Sequence, residues 1–258
     1  MPWSSTPTWW VLASARNAVT RKDPYSIRCA PHVIGVLRDT IAWAEDWVTT
    51  EINSSNDNPL FEADTDAVYY SGNFYGGHIA QAAQALSAAV ASTTDLLDRQ
   101  LALLVDDKFS FGLTPNLVMP TDADDADAGL HHGFKGAQIA ASALTAEALH
   151  LTMPVSSFSR STEAHNQDKV SMGTIAARHA RTVVGLASQV TAIHLIALCQ
   201  GADLVGVEQL CGTTRTAHAY VRKLSPLLST DRPLDEEIES VAALLRTGDL
   251  RRAVEQQA

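Results

Sequence analysis

Residues 78–105 read HIAQAAQALSAAVASTTDLLDRQLALLV, and their spacing decides the fold. Ile79, Ala82, Ala83, Leu86, Val90, Leu96, Leu97, Leu101 and Leu104 recur with a helical period, which keeps one face of an α-helix apolar. The pattern holds for almost thirty residues, so the segment is predicted to be one long helix. Alanine-rich faces of this kind bury against other helices, and what remains apolar is commonly buried against neighbouring subunits.

Upstream, Asn53-Ser54-Ser55-Asn56-Asp57-Asn58-Pro59 is a breaker, because short amide and carboxylate side chains bond nearby backbone and proline disfavours helix before it. Pro31 opens a predicted helix to about residue 53, with Val33, Val36, Leu37, Ile41, Trp43, Ala44 and Val48 on its apolar stripe. Between these helices, Val68-Tyr69-Tyr70 suits a local strand, and Ser71-Gly72-Asn73-Phe74-Tyr75-Gly76-Gly77 leads into the long helix. Downstream, helices are predicted near 134–152 and 164–203, the latter ending near Gly201, with a small charged helical pair from about Pro233. The fold class is therefore all-α, a long-helix bundle expected to assemble into an oligomer. It is read as a single domain over residues 1–258, with an irregular lead-in at 1–24, a bundle core at 31–206 and a helical tail at 207–258.

The chain has 258 residues, 46% of them hydrophobic and 19% charged, with ample material for a core. A net charge of −10 argues against nucleic acid or anionic membrane as the main partner. Three cysteines without metal-like spacing read as reduced thiols, and no unbroken apolar run reaches the roughly 18–20 residues of a membrane span. The opening Met1-Pro2-Trp3 lacks the cationic start of a signal peptide, so a cytoplasmic location is expected. No metal is expected: Asp122–Asp127 (DADDAD) lacks the glycine turn and closing glutamate of a calcium loop, and His131-His132 points two ways on a helix.

Three clusters carry chemistry. Asp23-Pro24-Tyr25-Ser26-Ile27-Arg28 sets a phenol and a guanidinium three residues apart, and arginine grips carboxylates through two parallel bonds. Alternatively, Arg28 is a plain surface residue and Tyr25 packs a helix entry. Gly72-Asn73-Phe74-Tyr75-Gly76 lets backbone approach a ligand while a ring forms a wall, or is simply a helix-entry loop with Phe74 in the core. In His165-Asn166-Gln167-Asp168, adjacent amides are expected early in an apolar helix, where they bond either substrate or neighbouring backbone.

The DPYSIRCAP, SSNDNPLF and SGNFYG blocks, GLHHGFKGAQIAASAL at 129–144 and HNQDKVSMGTIAAR at 165–178 together resemble the histidine, phenylalanine and tyrosine ammonia-lyases and related 2,3-aminomutases, over about Ala13 to Gly206. The resemblance implies that Tyr25 lies close to an electrophilic prosthetic group and that Arg28 anchors the amino acid's carboxylate. It also implies that Phe74 lines the pocket, and that Asn166 and Gln167 form the amide pair of the aromatic-specific branch, where the histidine-specific branch has glutamate at the second position. An aromatic amino acid, phenylalanine or tyrosine, is favoured as substrate. Lys22 departs from the family's glutamine.

The resemblance further implies a 4-methylidene-imidazole-5-one (MIO) group made from an internal Ala-Ser-Gly, and this sequence contains no such tripeptide. Ser71-Gly72 follows Tyr70 and is no substitute. The cofactor is therefore expected on a partner, an N-terminal-half lyase chain joined in a hetero-oligomer. Two other readings stand beside this one. The chain is a non-catalytic binding or regulatory partner or remnant, for which Lys22 is the best argument, or it is a piece of a full-length lyase.

Overall fold

The computed structural model describes residues 22–256 except 123, 125 and 128; most of the expected lead-in lies outside the described residues. A single turn, α1 (Tyr25–Arg28), precedes α2 (Ala30–Ile52), with Pro31 in its first turn where a missing N–H costs nothing. The breaker then leads into a two-stranded antiparallel hairpin, β1 (Leu60–Glu62) and β2 (Ala67–Tyr69), with Leu60 opposite Tyr69. The long helices α3 (Gly77–Val105), α4 (Lys135–His150) and α5 (Gly173–Val205) form the bundle. The tail is α6 (Gly212–Arg222), α7 (Asp235–Arg246) and α8 (Asp249–Glu255).

Helices α3 and α5 run parallel at the centre. Gly173 lies beside Gly76 and Ala80 at one end of the pair, and Gly201 lies against Leu104 at the other. Ala80, Ala83 and Ala176 pack together at the first end, and Ala91 meets Val183 and Ala148 midway. Beyond them Leu101, Phe134, Val190, Ile193 and Ile196 form the main core. Helix α4 runs antiparallel to both, its Ser142 Oγ donating to the buried Asp98 carboxylate at 2.8 Å. Helix α2 lies antiparallel to α3, with Trp47 edge-on to His78 (ring centroids 4.8 Å apart). By length and composition alone α5 could cross a membrane, with a mean hydropathy of 1.8 over its most apolar window; here it is the central strut of the core.

The expected helices at 31–53, 78–105 and 134–152 stand within two residues of these bounds. Two expectations are corrected. The last long helix begins at Gly173, not near 164, because Glu163, Ala164 and His165 all take positive φ and Met172 is left-handed (φ 61°). It also runs past Gly201 to Val205. Gly201 is a close-packing glycine, where a Cβ would touch Leu104 and Leu113 at 3.4 Å, and the chain turns at Gly206 (φ 113°) instead. Helix α6 falls within the expected helical tail.

The tail is tied to the bundle by one fully buried amide. Gln200 Nε2 donates to the carbonyls of Leu117 (3.3 Å) and Leu228 (3.0 Å), while its Oε1 accepts from the Leu228 N–H (3.1 Å) and Arg222 (3.3 Å). Arg222 continues to Asp203, which also bonds His218 at 2.7 Å. Gln200→Ala strands several of these buried groups and is expected to cost about 2–4 kcal/mol, read as a lower urea midpoint with an unchanged slope.

His194, also on α5, is held down to about 4 by burial, against an ordinary 6.5. The folded state refuses a proton that the unfolded chain takes up. The corresponding stability is therefore full above pH 6.5 and is lost as pH falls from 6.5 towards 4, by on the order of 1–3 kcal/mol. Unfolding of His194→Gln followed over this range should lack that share of the acid-induced loss.

Candidate functional site

The side chains singled out in the sequence do not converge in one chain; they fall into two groups at opposite ends of the bundle. The first group sits on α1. Pro24 and the short turn after it place the Arg28 guanidinium over the Tyr25 ring, 4.3 Å from its centroid. Gln100, near the C-terminal end of α3, fixes the turn by donating from Nε2 to the Ser26 carbonyl at 2.8 Å. Tyr25 is 69% exposed, Arg28 and Lys22 are exposed, and none of these three takes part in an ion pair among the described residues. The phenol and guanidinium therefore form a preset face open to solvent.

The second group sits where α3 and α5 begin. Phe74 lies in a short 3-10 turn (Asn73–Tyr75) closed by left-handed Gly76, and its ring is 52% exposed, not in the core. Asn73, Tyr75 and Gly76 border an open cleft of about 430 Å³ that Trp47, Glu51 and His78 complete. Beside it runs the loop to α5, whose Ser171 faces Gly76. Asn166 and Gln167 are on this loop, not on the helix expected for them. Asn166 Nδ2 donates to Glu163 at 2.8 Å, and Gln167 exchanges backbone hydrogen bonds with Thr162 (2.9 and 3.3 Å). The Thr162 hydroxyl also donates to the Gln167 side-chain oxygen at 3.4 Å. Both amides are thus braced from within the loop while staying exposed. Polar side chains that offer the backbone local partners explain why helix does not start here.

The two groups are separated by the length of α3. From Gly76 to Gln100 is 24 residues, roughly 36 Å of helix axis at 1.5 Å per residue. No side chain spans that gap, so a pocket using both groups needs at least two copies. Among the described residues, no three His, Cys, Asp or Glu side chains converge as metal ligands. The Asp231 carboxylate, a residue the sequence reading passed over, accepts the His132 and Gly133 N–H groups at 2.7 and 2.9 Å and pins the loop before α4. Burial raises that carboxyl, but these bonds outweigh it and hold it below its usual range.

The residues present do not supply an MIO group, since Ser71, in the only Ser-Gly pair, follows Tyr70 and donates its N–H to Asn58 Oδ1 at 2.9 Å.

With this geometry in view, the comparisons define the class of protein. The sequence model for aromatic amino acid lyases matches residues 6–223, and the chain belongs to that family. It is 42% identical over 229 residues to the tyrosine ammonia-lyase of Cupriavidus metallidurans, covering 88% of this chain and 41% of that protein. It is 38% identical over 244 residues to the histidine ammonia-lyase of Symbiobacterium thermophilum, covering 95% and 46%. A third relative, the MIO-dependent tyrosine 2,3-aminomutase of Streptomyces globisporus, is 36% identical over 240 residues, covering 93% and 43%. The solved tyrosine aminomutase from Streptomyces globisporus superposes with a TM-score of 0.84 at 34% identity, covering 97% of this chain and 47% of that one. The chain thus spans about half the length of the curated relatives it matches.

Backbone strain in the second group is testable in this chain alone. Ala164 holds φ 51° and ψ 40°, a region that costs an L-residue roughly 1–2 kcal/mol. Ala164→Gly should leave the loop as protected from proteolysis as before or more so, whereas the β-branched Ala164→Val should open it to cleavage.

Proposed function

We propose that this chain is the C-terminal subunit of a split aromatic amino acid ammonia-lyase or 2,3-aminomutase. Its substrate is phenylalanine or tyrosine, and its partner is an N-terminal-half chain that carries Ala-Ser-Gly and hence the MIO electrophile. The observation that carries the reading is the pair of exposed, preset half-sites about 36 Å apart, one with Tyr25 and Arg28, the other with Phe74, Asn166 and Gln167. Each half bears groups that an amino acid would meet, and the cleft beside Phe74 is lined by neither Tyr25 nor Arg28. The cut between chains removes none of them.

Arg28 suits the substrate carboxylate. Its guanidinium is oriented by the Tyr25 ring, and among the described residues no carboxylate occupies it. Tyr25 presents a phenol able to hand on a proton beside that carboxylate. From the other half-site, Phe74 offers a ring to an aromatic side chain. The Gln167 amide suits a neutral ring as a glutamate would suit an imidazole. Lys22 brings a second cation to the Arg28 side, where a carboxylate from another chain would neutralise it.

Removing a weakly acidic β-proton next to an ammonium leaving group is slow unless the amine is activated covalently, and tyrosine, arginine and amides provide no electron sink. The purified chain alone, offered phenylalanine and tyrosine, is therefore expected to form no arylacrylate and no β-amino acid; turnover by it alone would sink the proposal. With an Ala-Ser-Gly partner, turnover should appear. Arg28→Ala should then lose about 2–5 kcal/mol of kcat/KM, and Arg28→Lys should recover only part of it. Silence with the partner would favour a non-catalytic role.

A further inference from the structure

The α1 turn that carries Tyr25 and Arg28 does little to hold itself in place. It buries none of its four residues and has no side-chain cap, and a single helical turn is unstable by itself. Cys29 (φ −101°, ψ 2°) interrupts the helix between α1 and α2, so the turn is jointed to α2 and not continuous with it. Pro31, lacking an N–H, cannot bridge that joint by bonding the Ile27 carbonyl. Among the described residues the backbone bonds of the turn are local. Ile27 and Arg28 donate to the Pro24 carbonyl (3.0 and 3.1 Å), and Cys29 donates to that of Tyr25 (2.8 Å).

The break at Cys29 also leaves the Ser26 carbonyl without the N–H four residues on that an unbroken helix supplies. Gln100 takes that place. Its Nε2 reaches the Ser26 carbonyl from a half-buried position on α3, 74 residues further along the chain. Among the described residues this is the one hydrogen bond that joins the turn to α3. The anchor itself stands on firm ground: Leu101, next to it, is fully buried in the main core, and Asp98, two residues before it, is bonded to Ser142 of α4. Arg28 lies two residues past the anchored carbonyl, with its guanidinium against the Tyr25 ring. Where that guanidinium stands relative to the bundle therefore depends on Gln100.

We propose that Gln100 is a positioning residue for the Tyr25–Arg28 half-site: by holding the Ser26 carbonyl to α3, it sets the affinity for the substrate's carboxylate without meeting the substrate. The inference rests on the functional reading above and adds to it what aims the carboxylate-binding group. A guanidinium on a loose turn must be ordered each time it binds. That cost falls on bound substrate and transition state alike, so it enters KM and leaves kcat nearly untouched.

Gln100→Met tests it, because methionine matches glutamine in length and helix preference and cannot donate. In the chain alone, hydrogen exchange of the Ile27, Arg28 and Cys29 amides should quicken by about fivefold or more, as loss of one hydrogen bond implies. The amides of α3 and the thermal midpoint should stay as in the wild type. Unchanged exchange in the turn overturns the inference. In the complex with the Ala-Ser-Gly chain, Gln100→Met should raise KM about three- to tenfold and leave kcat within about twofold. Gln100→Lys, whose ammonium can still donate to the Ser26 carbonyl, should stay closer to the wild type. On an Arg28→Ala background, Gln100→Met should add nothing, because the two residues act through one group. A fall in kcat as large as the rise in KM, or an undiminished effect once Arg28 is gone, marks a general structural role and overturns the inference. The two readings fail separately. Quickened exchange in the turn, with a wild-type complex that turns nothing over, supports the anchor and sinks the functional reading; an active complex whose KM ignores Gln100→Met does the reverse.

Discussion

The close parallel contact between α3 and α5 sets everything else. Ala80 and Ala83 on one helix meet Ala176 on the other, and a little further on Ala91 meets Val183. Side chains this small bring the two axes close along the first half of the contact, and the larger Leu101, Val190 and Ile193 fill the second half. Gly173 at one end lies beside Gly76 and Ala80, and Gly201 at the other lies beside Leu104 and Leu113, so both ends of the contact are closely packed. The result is a stiff double strut of 29 and 33 residues, some 43–50 Å long. A strut cannot fold back on itself, so residues at its two ends are held apart. The separation of the Tyr25–Arg28 turn from the Phe74 turn is a direct outcome of that stiffness.

Much of this was legible in the sequence, for a simple reason: long helices announce themselves through a period that many residues repeat. The 78–105 pattern located α3 to within a residue, and Pro31 and the Asn53–Pro59 breaker bounded α2. What was not legible depended on partners distant in sequence or on unusual backbone. The positive-φ run Glu163–His165 has no glycine to betray it, so the amide pair was expected on a helix and was found on a braced loop. Gly201 looked like a helix end because glycine often is one, and only the proximity of Leu104 and Leu113 shows its packing role. For the candidate site, the sequence named residue types and their order, but not their division between two ends of the bundle, which is set by the long helix α3 that lies between them.

The tail shows how a polar group can organise a core. Gln200 is fully buried among apolar neighbours, yet its four bonds reach three different segments: the loop before α4, the turn before α7, and Arg222 on α6. An apolar residue of the same size would fill the space without choosing among these segments. The amide demands all of them at once, which favours one arrangement of the tail over many loosely packed ones.

The contact between Trp43 and Trp47 has a bearing of another kind. Their ring centroids are 4.7 Å apart at 65°, and Trp47 in turn abuts His78. Of the five tryptophans in the chain, these are the two within the described residues, and both lie on α2, with Trp47 bordering the cleft beside Phe74. Two indoles at that distance share their electronic excitations. The protein therefore carries a built-in optical gauge of that cleft: its near-ultraviolet dichroism and emission register whatever settles against Trp47, with no label attached.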